Sequence, residues 1–184
     1  MVQISLTIGM TLHGMECNMK KGFTLIEMLL YLAILSVVVL ALSSFLLLSY
    51  TSRVKGGVIA EVEQQGSQTM SIIAQNIRNA QSITAPIAGI SSNSLTLTEF
   101  TGAVSPSIFD QSGNTLRITE GAAIPINITS NRVIVSSLNF QNLSRPNTPG
   151  IVQIKFTLTH VNPDNRGEYI YSKSFTSTAS LRWP

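Results

Sequence analysis

Few residues in this chain of 184 residues have the types and spacing that chemistry needs. His13 and Cys17 lie four apart, which would suit an imidazole–thiol pair. Cys17 is the sole cysteine, so no intrachain disulfide can form. Asp110-Gln111-Ser112-Gly113-Asn114 is rich in oxygen ligands but lacks the further acids and distal Glu of a calcium loop, and reads as a turn. Asp164 and Glu168 read likewise, as carboxylates of a turn beside a strand start. His160 stands alone on an alternating run, where a histidine is more often satisfied or solvated than a ligand. No Gly-x-Ser-x-Gly, Walker loop, His-Glu-x-x-His or paired-cysteine spacing occurs. No catalytic residue, metal site or cofactor is therefore expected. What remains is Glu27.

Glu27 is the only charged residue between Lys21 and Arg53. Beyond it, Met28 to Tyr50 form 23 uncharged residues, or about 34 Å of helix, enough for a hydrocarbon core of about 30 Å. Ser36, Ser43, Ser44 and Ser49 do not break such a helix, because their hydroxyls can bond back to its carbonyls. The run exceeds the apolar region of a cleaved secretory signal, and no Ala-x-Ala pattern closes it, so the segment is expected to be retained. A carboxylate at the edge of such a run costs about 2.5 to 3.5 kcal/mol if drawn to the bilayer centre, and in such places it usually has a partner and a function. No Lys or Arg lies within the run to serve. The nearest candidate cation is an α-amino group created by a cut after Gly22.

The composition agrees with one greasy segment joined to an ordinary small domain. Hydrophobic residues make up 44% of the chain and charged ones 11%, against about 25% charged in a soluble domain. No second apolar run is long enough to span a membrane, which argues against a polytopic transporter. The net charge is +3, but the cations from Arg53 to Arg182 are strung out singly. Nucleic acid is accordingly not the expected partner.

The run Lys20-Lys21-Gly22-Phe23-Thr24-Leu25-Ile26-Glu27-Met28-Leu29 resembles the class III signal of type IV pilins and pseudopilins. In that family a membrane-embedded aspartyl peptidase cuts on the cytoplasmic side after the glycine and methylates the new N-terminus, commonly phenylalanine. The resemblance implies that Gly22 ends the leader, that Phe23 is the cleaved and N-methylated residue, and that Lys20 and Lys21 are the leader's basic residues. It makes Glu27 the acidic fifth residue of the mature chain, with a role in assembly. Met19-Lys20-Lys21-Gly22 would by itself be a complete short leader, so translation is expected to begin at Met19, the alternative being a long leader from Met1. Cys17 and His13 fall outside the mature protein either way.

Past Tyr50, Val54, Val58, Val62, Met70, Ile73, Ile77 and Ala80 keep helical spacing, and Gly66 falls on the same stripe where close packing needs no side chain. The helix is expected from about Leu25 to about Ser82, ending before Pro86, with Gly56-Gly57 as its weak point. From Ser91 the texture changes to alternation and turns. Strands are expected at Ser94–Phe100, Thr115–Thr119, Ile124–Ile128, Arg132–Phe140, Ile151–Thr159 and Tyr169–Leu181, the last two forming a hairpin. The fold class is α+β, a long N-terminal helix packed on an antiparallel sheet of five or six strands, which is also the pilin architecture. Four segments follow: a leader 1–22, a transmembrane and filament-core helix 23–50, an amphipathic helix 51–84, and a β-rich extracytoplasmic domain 85–184.

The function expected from the resemblance is a structural subunit, a minor pilin or pseudopilin of a type IV pilus or type II secretion filament. Glu61 to Thr84 and Phe175 to Arg182 resemble, less specifically, the larger minor pilins and the J-type pseudopilins. The implied partners are other pilin subunits, the prepilin peptidase acting on the chain as its substrate, and the cytoplasmic membrane. Two other classes stay open. A membrane-anchored adhesin that never polymerises would not be cut at Gly22. A DNA-uptake pilus subunit would retain DNA in a salt-dependent way.

Overall fold

A computed structural model describes residues 22–182. One helix, α1, runs from Leu25 to Asn79, and nine strands follow. They are β1 (Ser82–Ala85), β2 (Ser91–Ser92), β3 (Leu95–Thr98), β4 (Ser107–Ser112), β5 (Thr115–Glu120), β6 (Ile126–Asn127), β7 (Val133–Asn142), β8 (Ile151–His160) and β9 (Ser172–Ser180). The chain divides after Phe45 into two units, and the β-rich unit includes α1 from Leu46 onward.

All strand pairings are antiparallel, in two sheets ordered β1-β3-β4-β5-β6 and β2-β7-β8-β9. The α+β arrangement is thus the expected one, with more strands and a second sheet. Alternation decides the registers: Val152, Ile154, Phe156 and Leu158 of β8 are fully buried while their neighbours are not, the period-two signature of a sheet with one covered face. Against them pack Val62, Ile73, Ala74 and Ile77 of α1. Leu95, Leu97, Phe109 and Leu116 bring the first sheet into the same core.

The helix stops at Asn79, short of the expected Ser82, because Ser82–Ala85 is more useful as a strand. β-Branched Ile83 and Thr84 suit an extended backbone, and Gln81 N–H donates to Thr98 O at 2.8 Å to start the pairing with β3. Arg182 N–H donates to Arg78 O at 3.2 Å, satisfying one of the carbonyls a helix end leaves open. The Gly56-Gly57 pair stays helical.

Asp110, expected in a turn, lies in β4. Ser107 and Phe109 face the core and put Asp110 on the outer face, opposite Arg117 of β5. Their fork-to-fork contact, Nε–Oδ1 2.9 Å and Nη2–Oδ2 2.5 Å, holds the guanidinium above its ordinary pKa. The turn itself shrinks to Gly113-Asn114, with Gly113 at φ +57°. Tyr169, expected in the last strand, ends a single 3-10 turn, Gly167–Tyr169. The polar run around Asn165, at φ +53°, delays β9 until Ser172. β1, β2 and β4 went unforeseen because two are very short and the third carries three polar residues in a row.

Gly66 is where the helix comes closest to the sheet. A Cβ there would lie 2.0 Å from Cζ of Phe175, and that ring is itself stacked on Phe156 at 5.5 Å between centroids. Gly66→Val is therefore expected to destabilise the β-rich unit by about 2 kcal/mol of overpacking, despite the better helix propensity. Thermal melts check this, and Phe175→Ala in the same chain should restore part of the loss. Equal stability of Gly66→Val and wild type would mean that the ring does not hold this position.

A second tie joins the same surfaces. Glu63 accepts from Lys173 Nζ at 2.8 Å and from Tyr171 Oη at 3.2 Å. The Lys173 hydrogen bond and charge, then the Tyr171 hydroxyl, lower the Glu63 pKa, while the Lys173 pKa is raised mainly by its hydrogen bond to Glu63. A depressed carboxylate contributes stability that is present above its unfolded pKa of about 4.3 and lost as pH falls through the lower folded value. Wild type should therefore lose more of its thermal midpoint than Glu63→Gln between about pH 6 and pH 3. Parallel losses would show the tie to be inert, as exposed pairs often are.

Candidate functional site

The site is the start of α1. Thr24 is the N-cap. Its Oγ1 accepts from Glu27 N–H at 3.3 Å, and Glu27 Oε2 accepts from Thr24 N–H at 3.5 Å. This reciprocal pair is a capping box, in which a hydroxyl and a carboxylate three residues apart satisfy backbone donors that the helix start leaves open. The carboxylate also sits at the positive end of the helix dipole. Tyr31 Oη donates to Glu27 Oε1 at 3.5 Å, and the rings of Phe23 and Tyr31 meet edge to face with centroids 6.1 Å apart. Glu27 thus has three local contacts. The expected cation partner is not what engages Glu27 here; the signal for these contacts is the hydroxyl–x–x–carboxylate spacing of Thr24-Leu25-Ile26-Glu27.

Gly22 and Phe23 precede the helix in non-regular backbone and are exposed, Phe23 by 71%. No heavy atom of the described residues lies within 4 Å of where a Cβ on Gly22 would stand, and its φ is not one that favours glycine. Nothing among the described residues therefore requires a glycine here. Lys20, Lys21, Met19, Cys17 and His13 lie outside the described residues.

Every large apolar side chain from Phe23 to Tyr50 is exposed, so this helix has no cover of its own, and covering it is worth on the order of tens of kcal/mol. The hydroxyls of Ser36, Ser43 and Ser44 donate to Ala33 O, Val39 O and Leu40 O at 2.7 to 3.0 Å, which lowers the cost of placing these three serines in an apolar environment. By length and composition the helix is a candidate membrane span.

The other polar residues singled out from the sequence are engaged elsewhere. His160 is 7% exposed. Its Nδ1 is 2.8 Å from Val161 O, its Nε2 is 3.6 Å from Glu61 Oε2, and its ring stacks on Tyr169. It is a satisfied core histidine. Glu168 pairs with Arg166, and its pKa is lowered first by its own backbone N–H and then by that arginine. Asp164 stands in the turn before them, at the place expected for it.

Among the described residues the head of α1 presents an uncovered peptide bond, a capped helix start and an exposed apolar helix. Residues 17–43 match the prokaryotic N-terminal methylation motif. The match supports a type IV pilin-like prepilin signal and implies processing by a prepilin peptidase and assembly with pilin subunits. It spans the expected leader junction, Glu27 and the first part of α1. No curated protein and no solved structure matches the chain significantly.

Proposed function

We propose that this chain is a minor pilin or pseudopilin, cut between Gly22 and Phe23, N-methylated at Phe23, and built into a type IV pilus or type II secretion filament through α1. In this reading residues 1–22 are the leader, with Lys20 and Lys21 holding its cytoplasmic end. Residues 23–50 cross the cytoplasmic membrane before assembly and lie in the filament core after it. Residues 51–84 and 85–184 form the part outside the cytoplasm. The protein is a structural subunit, not an enzyme. The observation that carries the reading is the coincidence, within residues 17–43, of the methylation motif with an uncovered Gly22–Phe23 junction and an uncovered apolar helix.

The exposed helix explains why such a subunit needs two environments. Lipid covers Leu25 to Tyr50 in the free subunit, and neighbouring helices replace lipid in a filament. Apolar packing then differs little between the two states, so a polar contact can decide register. Expression in hosts with and without a prepilin peptidase tests the reading. The chain should migrate faster only where the peptidase is present, and an unchanged position in both hosts would overturn it.

A further inference from the structure

The second sheet ends in an open edge. β9 is its last strand, and the bonds His160 N–H to Tyr171 O at 3.0 Å and Leu181 N–H to Gly150 O at 2.8 Å fix which residues face β8. Antiparallel bonding alternates, so odd-numbered residues of β9 bond to β8, and the N–H and C=O of Ser172, Ser174, Thr176, Thr178 and Ser180 point away from the sheet. The next outward donor, Arg182 N–H, is taken by Arg78 O. No described backbone group takes the ones before it. Natural edges are usually blunted by proline, bulges, shortness or charge. β9 has nine residues, no proline, and an unbroken register with β8. Its one charge, Lys173, is turned to the helix side and bound to Glu63.

Beside this edge runs a groove of about 530 Å³ between α1 and β9. Met70, Ala74 and Phe175 give it an apolar floor, and Ser71 forms part of its rim. The Glu63–Lys173 pair closes one end without net charge. Arg78 stands at the other end, with no ion pair among the described residues. A strand added to β9 would send every second side chain to the face that carries Lys173 and Phe175, and so into this groove. Edge and groove together have the two parts that strand addition uses, main-chain bonds for affinity and side-chain pockets for choice.

We propose that the β9 edge and the groove beneath it accept one extended segment of another polypeptide. The segment runs antiparallel to β9, is apolar at alternate positions, and carries a carboxylate at the Arg78 end. A second copy of β9 fits poorly. Antiparallel pairing centred on Thr176 would bring the Lys173 ammonium of one copy to the Arg78 end of the other. The surface goes beyond the proposed function and does not depend on the fate of Phe23 or Glu27, so either idea can fail without the other.

The test uses the full chain in detergent micelles and a fluorescein-labelled pool of peptides, Asp-Thr-Xaa-Thr-Xaa-Thr-Xaa with acetyl and amide ends and Val or Leu at Xaa. Anisotropy should show saturable binding. Thr176→Pro removes one outward N–H, at an edge position where proline is tolerated, and should weaken binding about fivefold or more. Thr176→Val should not. Ser71→Trp, which fills the groove from the helix side, should weaken it as much at an unchanged thermal midpoint. A pool with Lys in place of Asp should bind wild type less well and Arg78→Glu better. Hydrogen exchange should slow at Ser172, Ser174, Thr176, Thr178 and Ser180 when the pool binds. No saturable binding below about 1 mM, or binding untouched by both Thr176→Pro and Ser71→Trp, overturns the proposal. A concentration-dependent dimer of the chain that Thr176→Pro abolishes also overturns it, in favour of self-pairing.

Discussion

Glu27→Leu, in a strain lacking the native gene, is expected to insert and be processed like wild type, yet to enter filaments about tenfold less well or worse, which corresponds to about 1.4 kcal/mol. On the proposed function, Glu27 of a free subunit would lie near the membrane edge, where water and headgroups reach it. Docked among other helices it would be desolvated, and an unpaired buried charge costs several kcal/mol. If the chain is cut at Gly22, the α-amino group of a neighbouring Phe23 would be the cation to offset that cost, and it could do so only at the correct axial register. The capping box offers a purely local alternative, since Thr24 N–H and Tyr31 Oη already engage the carboxylate. Glu27→Gln separates the two. Glutamine serves a capping box as glutamate does, but it carries no charge. Poor recruitment of both variants supports the charge pair. Normal recruitment of Glu27→Gln with poor recruitment of Glu27→Leu assigns Glu27 to the helix start alone, and failed processing of either moves it to peptidase recognition.

Gly22→Val is expected to leave the precursor uncut, an all-or-none effect visible as a single slower band. Because no atom of the described residues approaches the place of its Cβ, the substitution disturbs no packing among them. Any loss of processing then reports on an outside partner, a peptidase site that must admit extended backbone without a side chain on the leader side. The uncut protein should still reach the membrane, since its apolar helix is unchanged. Its retained Lys20 and Lys21 should hold its orientation at least as firmly as in the product. Normal cleavage of Gly22→Val would show that the glycine is incidental.

How much of this could be read in the sequence depended on whether periodicity or geometry carried the signal. Val58, Val62, Ile73 and Ile77 share a helical face because 3.6-residue spacing leaves no other choice, and all four are buried. The alternation of Val152 to Leu158 fixed β8 in the same way. Gly66 was legible as a gap in the apolar stripe, although nothing in the sequence said that Phe175 would fill it. The short strands β1 and β2 owe their existence to pairing, β1 with β3 and β2 with the distant β7, so local pattern could not reveal them. Asp110 looked like a turn residue because its partner, Arg117, is seven positions away and only a hairpin register brings them opposite. At the head of α1 the Lys-Lys-Gly-Phe string and the uncharged run were plain. The capping box is equally plain in spacing, but a carboxylate beside an uncharged run suits two roles, a buried charge and a helix cap, and spacing alone does not choose between them. The edge of β9 was not legible at all: an open edge is a property of sheet order, which no window of residues contains.

If the chain is a processed prepilin, intact-mass analysis with N-terminal fragmentation of the protein purified from membranes will find a chain that begins at Phe23 and carries one methyl group on its α-amino nitrogen. A mature protein that retains Lys20 and Lys21 ahead of an unmodified Gly22–Phe23 bond, in cells with an active prepilin peptidase, would contradict it.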